Sequence, residues 1–159
     1  MARKYRKVGV SGTFDYLHKG HACLIEKAFK VGDSVEIGLT TDEMLKTNPK
    51  DHEVSKFNDR RGELFKFLAD LGVLERVKIV PLYDLFGPAI SDGELDALVV
   101  SDETANTGAE INEIRNKKGL KPLKIVVVDL VLADDGFPVS SSRIRRGEID
   151  REGHLFPTP

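Results

Sequence analysis

Five short apolar runs, separated by stretches with helical spacing, constrain this chain more than any other feature. Residues 6–11, 34–40, 76–81, 96–101 and 123–132 carry strand character. In the second, Val35, Ile37 and Leu39 alternate; in the last, Ile125-Val126-Val127-Val128 is continuous, which predicts a strand buried on both faces. Between the runs, residues 18–31 repeat Ile25, Ala28 and Phe29 at core spacing, and residues 58–71 put Leu64, Phe67, Leu68 and Leu71 on one stripe. Thr40 with Glu43 predicts a capping box for a short helix to about residue 45. Thr107 with Glu110 predicts another, for a helix that Gly119 stops. Ser140 opens a last helix. Strand and helix alternate throughout. That pattern predicts one α/β domain: a five-stranded parallel sheet with right-handed crossovers, doubly wound by helices on both faces. Ligands of such sheets sit at the carboxyl ends of the strands, where strand order reverses. If the first strand is central, the loop over residues 12–17 lies there.

Composition narrows the function classes. The 159 residues suffice for one domain with a proper core. That domain is expected over residues 1–150, with a polar tail over 151–159, and everything from residue 147 on is expected to be loosely held. A net charge of −2 gives no global pull toward nucleic acid or an anionic membrane. The basic cluster Arg143, Arg145 and Arg146 therefore needs a local explanation. Cys23 is the single cysteine, which precludes an intramolecular disulfide and fits a reducing compartment. No run approaches the ~20 apolar residues of a membrane span, and the basic N-terminus lacks the apolar stretch of a signal peptide. The expectation is a cytoplasmic, enzyme-sized domain. A monomer is expected, with a homo-oligomer left open.

Two stretches carry chemistry. The first is Gly12-Thr13-Phe14-Asp15-Tyr16-Leu17-His18-Lys19-Gly20-His21, a strand end, a tight loop and a helix start. His18 and His21 fall one turn apart on one helix face. Gly20 between them leaves room for a ligand to approach the backbone. The helix start itself offers unpaired N–H groups to an anion. The second is Val139-Ser140-Ser141-Ser142-Arg143-Ile144-Arg145, three hydroxyls at a helix start with Arg145 three residues after Ser142. Hydroxyls, N–H groups and a fixed cation make a cradle for a polyphosphate. Residues 47–56, polar and broken by Pro49, are expected to form a mobile loop.

These stretches resemble the two signatures of the nucleotidyltransferase superfamily, G-T-F-D-x-x-H-x-G-H and I-S-S-T-x-x-R. Val139 stands for the isoleucine and Ser142 for the threonine of the second. The middle of the chain resembles the archaeal phosphopantetheine adenylyltransferases. The matching residues are Leu45-Lys46, Asp59-Arg60-Arg61, Pro81-Leu82-x-Asp84-x-x-Gly87-Pro88, Ser101-Asp102-Glu103-Thr104, Gly108, Ile111-Asn112 and Arg115. The resemblance implies a Rossmann-like fold. It implies transfer of AMP from ATP to 4′-phosphopantetheine, giving dephospho-coenzyme A and pyrophosphate, with magnesium.

It also implies roles. Gly12, Thr13, Phe14 and Gly20 would form the ATP loop, with Thr13 bonding a phosphate near the reaction centre. His18 and His21 would hold the ATP phosphates, His18 nearest the α-phosphate. Ser140, Ser141, Ser142 and Arg145 would hold the β- and γ-phosphates. Lys46 is the candidate cation at the reacting phosphates and Lys50 its competitor; with Asp15 they are the acceptor-side candidates. Asp102 and Glu103, wrong in charge for phosphate, would face the ribose or a magnesium-bound water. No protein-held metal set is implied, and the role of Arg61 stays open. The alternatives are a nucleotidyltransferase of the nicotinamide mononucleotide, FAD or glycerol-3-phosphate type, and a catalytically silent nucleotide-binding module. No Ser–His–Asp or Cys–His nucleophile set is evident, so the acceptor phosphate is expected to attack directly.

Overall fold

The computed structural model describes residues 3–47 and 53–157. Lys50 and the rest of the expected loop's centre, residues 48–52, fall outside the described residues. The strands are β1 (Tyr5–Gly12), β2 (Gly32–Thr40), β3 (Val77–Leu82), β4 (Ala97–Ser101) and β5 (Lys124–Val128), and the helices α1 (Lys19–Val31), α2 (Asp42–Thr47), α3 (Phe57–Leu71), α4 (Ala105–Lys117) and α5 (Ser141–Arg145). The sheet order is β3-β2-β1-β4-β5, with every pair parallel. β1 is central, and strand order reverses between β1 and β4. The loop after β1 therefore opens at the switch point, as the alternation predicts.

The two faces of the sheet follow the two-residue period of its strands. Val8, Val10, Val35, Ile37, Leu39, Ala97 and Val99 share one face and pack with Ile25, Ala28 and Phe29 of α1 and Leu64 and Leu68 of α3. Leu98 and Val100 point the other way, into a smaller cluster with Ala89, Leu95, Ile111 and Leu123. That second face is covered by α4 and a 3-10 turn, Gly87–Ile90.

Several expectations are corrected, each by a tertiary partner. Thr41, not Thr40, caps α2. Its Oγ1 accepts from Met44 N–H at 3.1 Å and donates to Leu82 O at 2.7 Å, while Thr40 Oγ1 reaches Gly12 O at 3.2 Å. Thr107 and Glu110 lie inside α4, which starts after Thr104; the Thr104 hydroxyl accepts from Ser101 N–H at 3.0 Å and closes the turn after β4. β5 is an edge strand; Val126 and Val128 pack on one face and Ile125 on the other, but Val127 is 46% exposed, so cover of that second face is incomplete. It ends at Val128, and Leu132 pairs instead with Pro138 in a separate bridge. On α3 only Leu64 and Leu68 of the expected stripe are fully buried, and Leu71 is exposed at the helix end, where Gly72 takes a left-handed φ of 74°. The stretch from residue 147 is fastened rather than loose. Ile149 is fully buried with Ala133 and Val139, and Asp134 N–H donates to Gly153 O at 2.9 Å.

Candidate active site

The loop from β1 to α1 is built under strain. Phe14 and Tyr16 adopt φ values of 50° and 47°, a left-handed conformation that costs a non-glycine residue about 1–3 kcal/mol. Burial of the Phe14 ring, 2% exposed, offsets that cost and fixes the loop. Asp15 is buried beside it, its Oδ1 accepting from Ser55 N–H at 3.4 Å. That contact ties Asp15 to the segment leading into the next helix.

His18 is the N-cap of α1, in an extended conformation, and the two histidines cap each other. His18 Nδ1 accepts from Gly20 N–H at 3.0 Å and His21 N–H at 3.3 Å, while His21 Nδ1 accepts from His18 N–H at 3.3 Å. This is a capping box made of imidazoles. A ring that accepts at Nδ1 and is neutral must carry its proton on Nε2. Both rings are neutral. Desolvation, with the Arg151 cation nearby, lowers the His18 pKa to about 4. Desolvation and the neighbouring His18 lower that of His21 to about 3. The rings stack with centroids 3.7 Å apart, and the edge of Phe14 backs His21 at 5.2 Å. The arrangement presents two fixed Nε2–H donors.

Two expectations change here. The backbone N–H groups of the first turn are spent on the protein itself: Lys19 N–H donates to Arg151 O at 2.8 Å, and those of Gly20 and His21 go to His18. An anion at this end meets ring donors and the helix dipole rather than bare amides. Gly20 is required by the cap. A Cβ there would stand 2.9 Å from His18 Cε1, so its absence makes room for the ring.

The second stretch meets the first. Ser141 Oγ donates to Asp15 O at 2.5 Å, and Arg145 Nη1 donates to the Tyr16 hydroxyl at 3.1 Å. Ser140 is the N-cap of α5, accepting from Arg143 N–H at 3.3 Å, and Ser142 lies in the first turn. The basic cluster resolves into separate tasks. Arg143 pairs with Asp135 and Glu148, and Arg146 with Glu148 at 2.5 Å, while Arg145 faces the loop and pairs with Glu53 at 2.8 Å.

A cavity of about 450 Å³ opens on the other face of the sheet. Its floor is Gly9, Ser11, Gly38 and Leu98, and its walls include Leu45, Leu82, Phe86, Thr104 and Ile111. Gly12 and Thr13 border it from the histidine-bearing loop, while the histidine rings lie outside it. Thr13 thus stands between a polar compartment and a largely apolar one. Lys46 is exposed near the end of α2, one residue after the wall residue Leu45. Asp102 and Glu103 are exposed in the turn after β4, next to Thr104.

Arg61 points to solvent; its neighbour Arg60 is 1% exposed and lies beneath the site. Sequence reasoning named Arg60 only within the matching stretch Asp59-Arg60-Arg61 and gave it no role. The available signal was its spacing, four residues before Leu64 on the buried stripe of α3.

Residues 10–147 match the cytidylyltransferase-like family model. A phosphopantetheine adenylyltransferase of Methanosarcina mazei is 50% identical over 152 residues, 94% of this chain and 96% of that protein. One from Methanosarcina barkeri is 47% identical over 152 residues, 94% of this chain and 92% of that protein. Among solved structures, a protein of unknown function from Archaeoglobus fulgidus aligns with a TM-score of 0.67 at 31% identity, covering 77% of this chain and 89% of that one. The chain belongs to the cytidylyltransferase-like family and, within it, to the phosphopantetheine adenylyltransferases.

Proposed function

We propose that the chain transfers an adenylyl group from ATP to 4′-phosphopantetheine, giving dephospho-coenzyme A and pyrophosphate, by direct in-line attack of the acceptor phosphate. The observation that carries this is the junction at Gly12 and Thr13 between two unlike compartments. On one side, neutral imidazole donors, serines and Arg145 suit a polyphosphate. On the other, the cavity suits an uncharged arm whose phosphate end reaches Thr13.

In this assignment His18 donates to the α-phosphate and His21 beside it, each through Nε2–H. Gly12, Phe14 and Gly20 shape the loop that holds them. Thr13 bonds a phosphate between the two substrates. Ser140, Ser141, Ser142 and Arg145 take the β- and γ-phosphates. Lys46, or Lys50, meets the reacting phosphates from the acceptor side, and Asp102 and Glu103 sit by the nucleotide sugar. The acceptor is a phosphate monoester with a second pKa near 6, largely a dianion at neutral pH, so it attacks without a general base. What the protein contributes is alignment of two polyanions and neutralisation of growing charge. Neutral histidines suit this work, because they donate hydrogen bonds without holding the pyrophosphate product by charge.

Magnesium belongs to the substrate in this scheme. Such an ion is bound mainly through phosphate oxygens and its own waters. Among the described residues no helix is long and apolar enough to cross a membrane; we place the enzyme in the cytoplasm, as a monomer.

The test incubates the protein with ATP, magnesium and separate acceptors: 4′-phosphopantetheine, nicotinamide mononucleotide, FMN and glycerol 3-phosphate. Product masses should show dephospho-coenzyme A alone, and the intact protein mass should show no AMP adduct. A competent adenylyl-enzyme would overturn direct transfer. Preference for another acceptor would overturn the substrate assignment.

A further inference from the structure

Arg60 is a charged side chain with almost no exposure, and its guanidinium joins four separate pieces of the site. Nε donates to Ser55 O at 2.7 Å. Nη1 donates to Thr13 O at 3.0 Å and to Thr40 O at 2.7 Å. Nη2 donates to Asp42 Oδ1 at 3.1 Å. Thr13 belongs to the loop that carries His18. Thr40 ends β2, and Asp42 opens α2, which carries Lys46. Ser55 lies in the segment leading into α3, and its own N–H meets Asp15. Asp42 also accepts from Phe57 N–H at 3.1 Å, so the same carboxylate holds the start of α3.

A buried guanidinium needs its N–H groups satisfied. Hydrophobic packing alone would fill this volume without fixing the distance between the loop after β1 and the turn after β2. The planar fork fixes it, because one nitrogen bonds a carbonyl from each. Those two segments carry the two sides of the proposed transfer, and the bond-forming step depends steeply on their spacing.

We propose that Arg60 is a positioning residue for adenylyl transfer, setting the distance between the Thr13 loop and the Thr40–Asp42 turn so that donor-side and acceptor-side groups stay in line. It touches neither substrate. This inference rests on the direct-transfer function proposed above.

A useful contrast is Arg115, also fully buried, which donates to Ala89 O, Asp92 O and Lys121 O, none of them on the loop after β1 or the turn after β2. The experiment compares wild type with Arg60→Lys, Asp42→Asn and Arg115→Lys. It measures steady-state formation of dephospho-coenzyme A from MgATP and 4′-phosphopantetheine, calorimetric binding of each substrate, and the thermal midpoint. Arg60→Lys keeps the charge and loses the fork; kcat should fall about 10- to 100-fold, with each Kd within about threefold of wild type. Asp42→Asn keeps an oxygen for Phe57 N–H and loses the ionic partner; kcat should fall a few-fold with the same split. Arg115→Lys should lower the thermal midpoint and leave kcat unchanged below it.

A folded Arg60→Lys enzyme with kcat within twofold of wild type overturns the proposal. So does a loss that appears in both Kd values instead of kcat, or equal kcat losses in the Arg60 and Arg115 variants. If Arg60→Lys does not fold, Asp42→Asn decides on the same terms. A wild type that forms no product overturns the functional assignment and this inference with it. An active wild type beside equally active variants overturns this inference alone.

Discussion

The starts of α1 and α5 face the same loop but are built in opposite ways. At α1 the first-turn N–H groups are spent internally, the two rings are desolvated and neutral, and the preceding backbone is strained into place. At α5 the helix is five residues long, and its cation Arg145 is partly exposed and borrowed by the carboxylate of Glu53. A closed network can hold a donor where charge will develop during reaction. An exposed cation whose partner exchanges easily suits phosphates that are charged throughout. Under the proposed transfer, that difference assigns the first region to the transition state and the second to ground-state binding, a division the following experiments test.

The largest expected effect tests the first half of that contrast. His18→Ala should lower kcat by about 10²–10³, the usual cost of one lost transition-state donor, while the ATP Kd from calorimetry moves much less. It should also cost about 1 kcal/mol of stability through the lost helix cap. His18→Asn separates the two roles. An asparagine oxygen can accept from Gly20 and His21 N–H, so stability should return while kcat stays low. Near wild-type kcat in either variant, or ATP binding lost in proportion to rate, would break the assignment of His18.

A second effect follows from the depressed histidine pKa values. Folded pKa values of about 4 and 3, against 6.5 unfolded, mean that the unfolded chain binds more protons between those limits. Stability should therefore be full above pH 6.5 and fall as the pH drops toward 4, by at most about 2 kcal/mol per ring at pH 5. The thermal midpoint should drop between pH 7 and pH 5, and less so in His18→Asn, which titrates one ring fewer. An equal drop in both would mean that the His18 ring is not held neutral by the fold.

Legibility from sequence followed the range of the forces involved. The five strands and the central loop could be read because apolar periodicity is local and the sheet obeys it. The histidine pair could be read because its spacing is local too. The caps could not. Thr41 caps α2 in part because Leu82 O, 41 residues away, takes its hydroxyl proton. The bare amides expected at α1 are absent because Arg151, from a stretch read as loose tail, supplies a carbonyl to Lys19. β5 read as fully buried on both faces because the run 125–128 does not reveal that the cover of its second face reaches Ile125 and leaves Val127 exposed. Arg60 was named but given no role because three of its four partners are backbone carbonyls, which no side-chain pattern announces.

The second half of the contrast predicts smaller changes, seen in binding. Arg145→Gln removes charge-assisted bonds worth about 1.5–3 kcal/mol in favourable settings. Partial exposure discounts that, so the ATP Kd should rise about tenfold with kcat changed only a few-fold. Calorimetry and steady-state rates on one preparation decide it. A variant that loses kcat and keeps Kd would place Arg145 with the histidines and erase the distinction.

The smallest effect concerns what holds Arg145 before ATP arrives. Glu53 reaches it with a side chain that is 82% exposed, and exposed pairs of this kind contribute about 0.2–1 kcal/mol. Binding a polyphosphate at Arg145 requires that pair to open, so its modest energy opposes ATP. Glu53→Gln keeps the shape and removes the competing charge. The ATP Kd should fall, by no more than about fivefold on that energy, since tenfold corresponds to about 1.4 kcal/mol. The gain should shrink at high salt, because screening already weakens the exposed pair in wild type. In Arg145→Gln the Glu53 substitution should add nothing, since the two act through one contact. Weaker ATP binding in Glu53→Gln would reverse the sign and assign Glu53 a supporting role at the phosphates. An undiminished gain in the Arg145→Gln background would show that Glu53 acts through the general field of the site instead of through this pair.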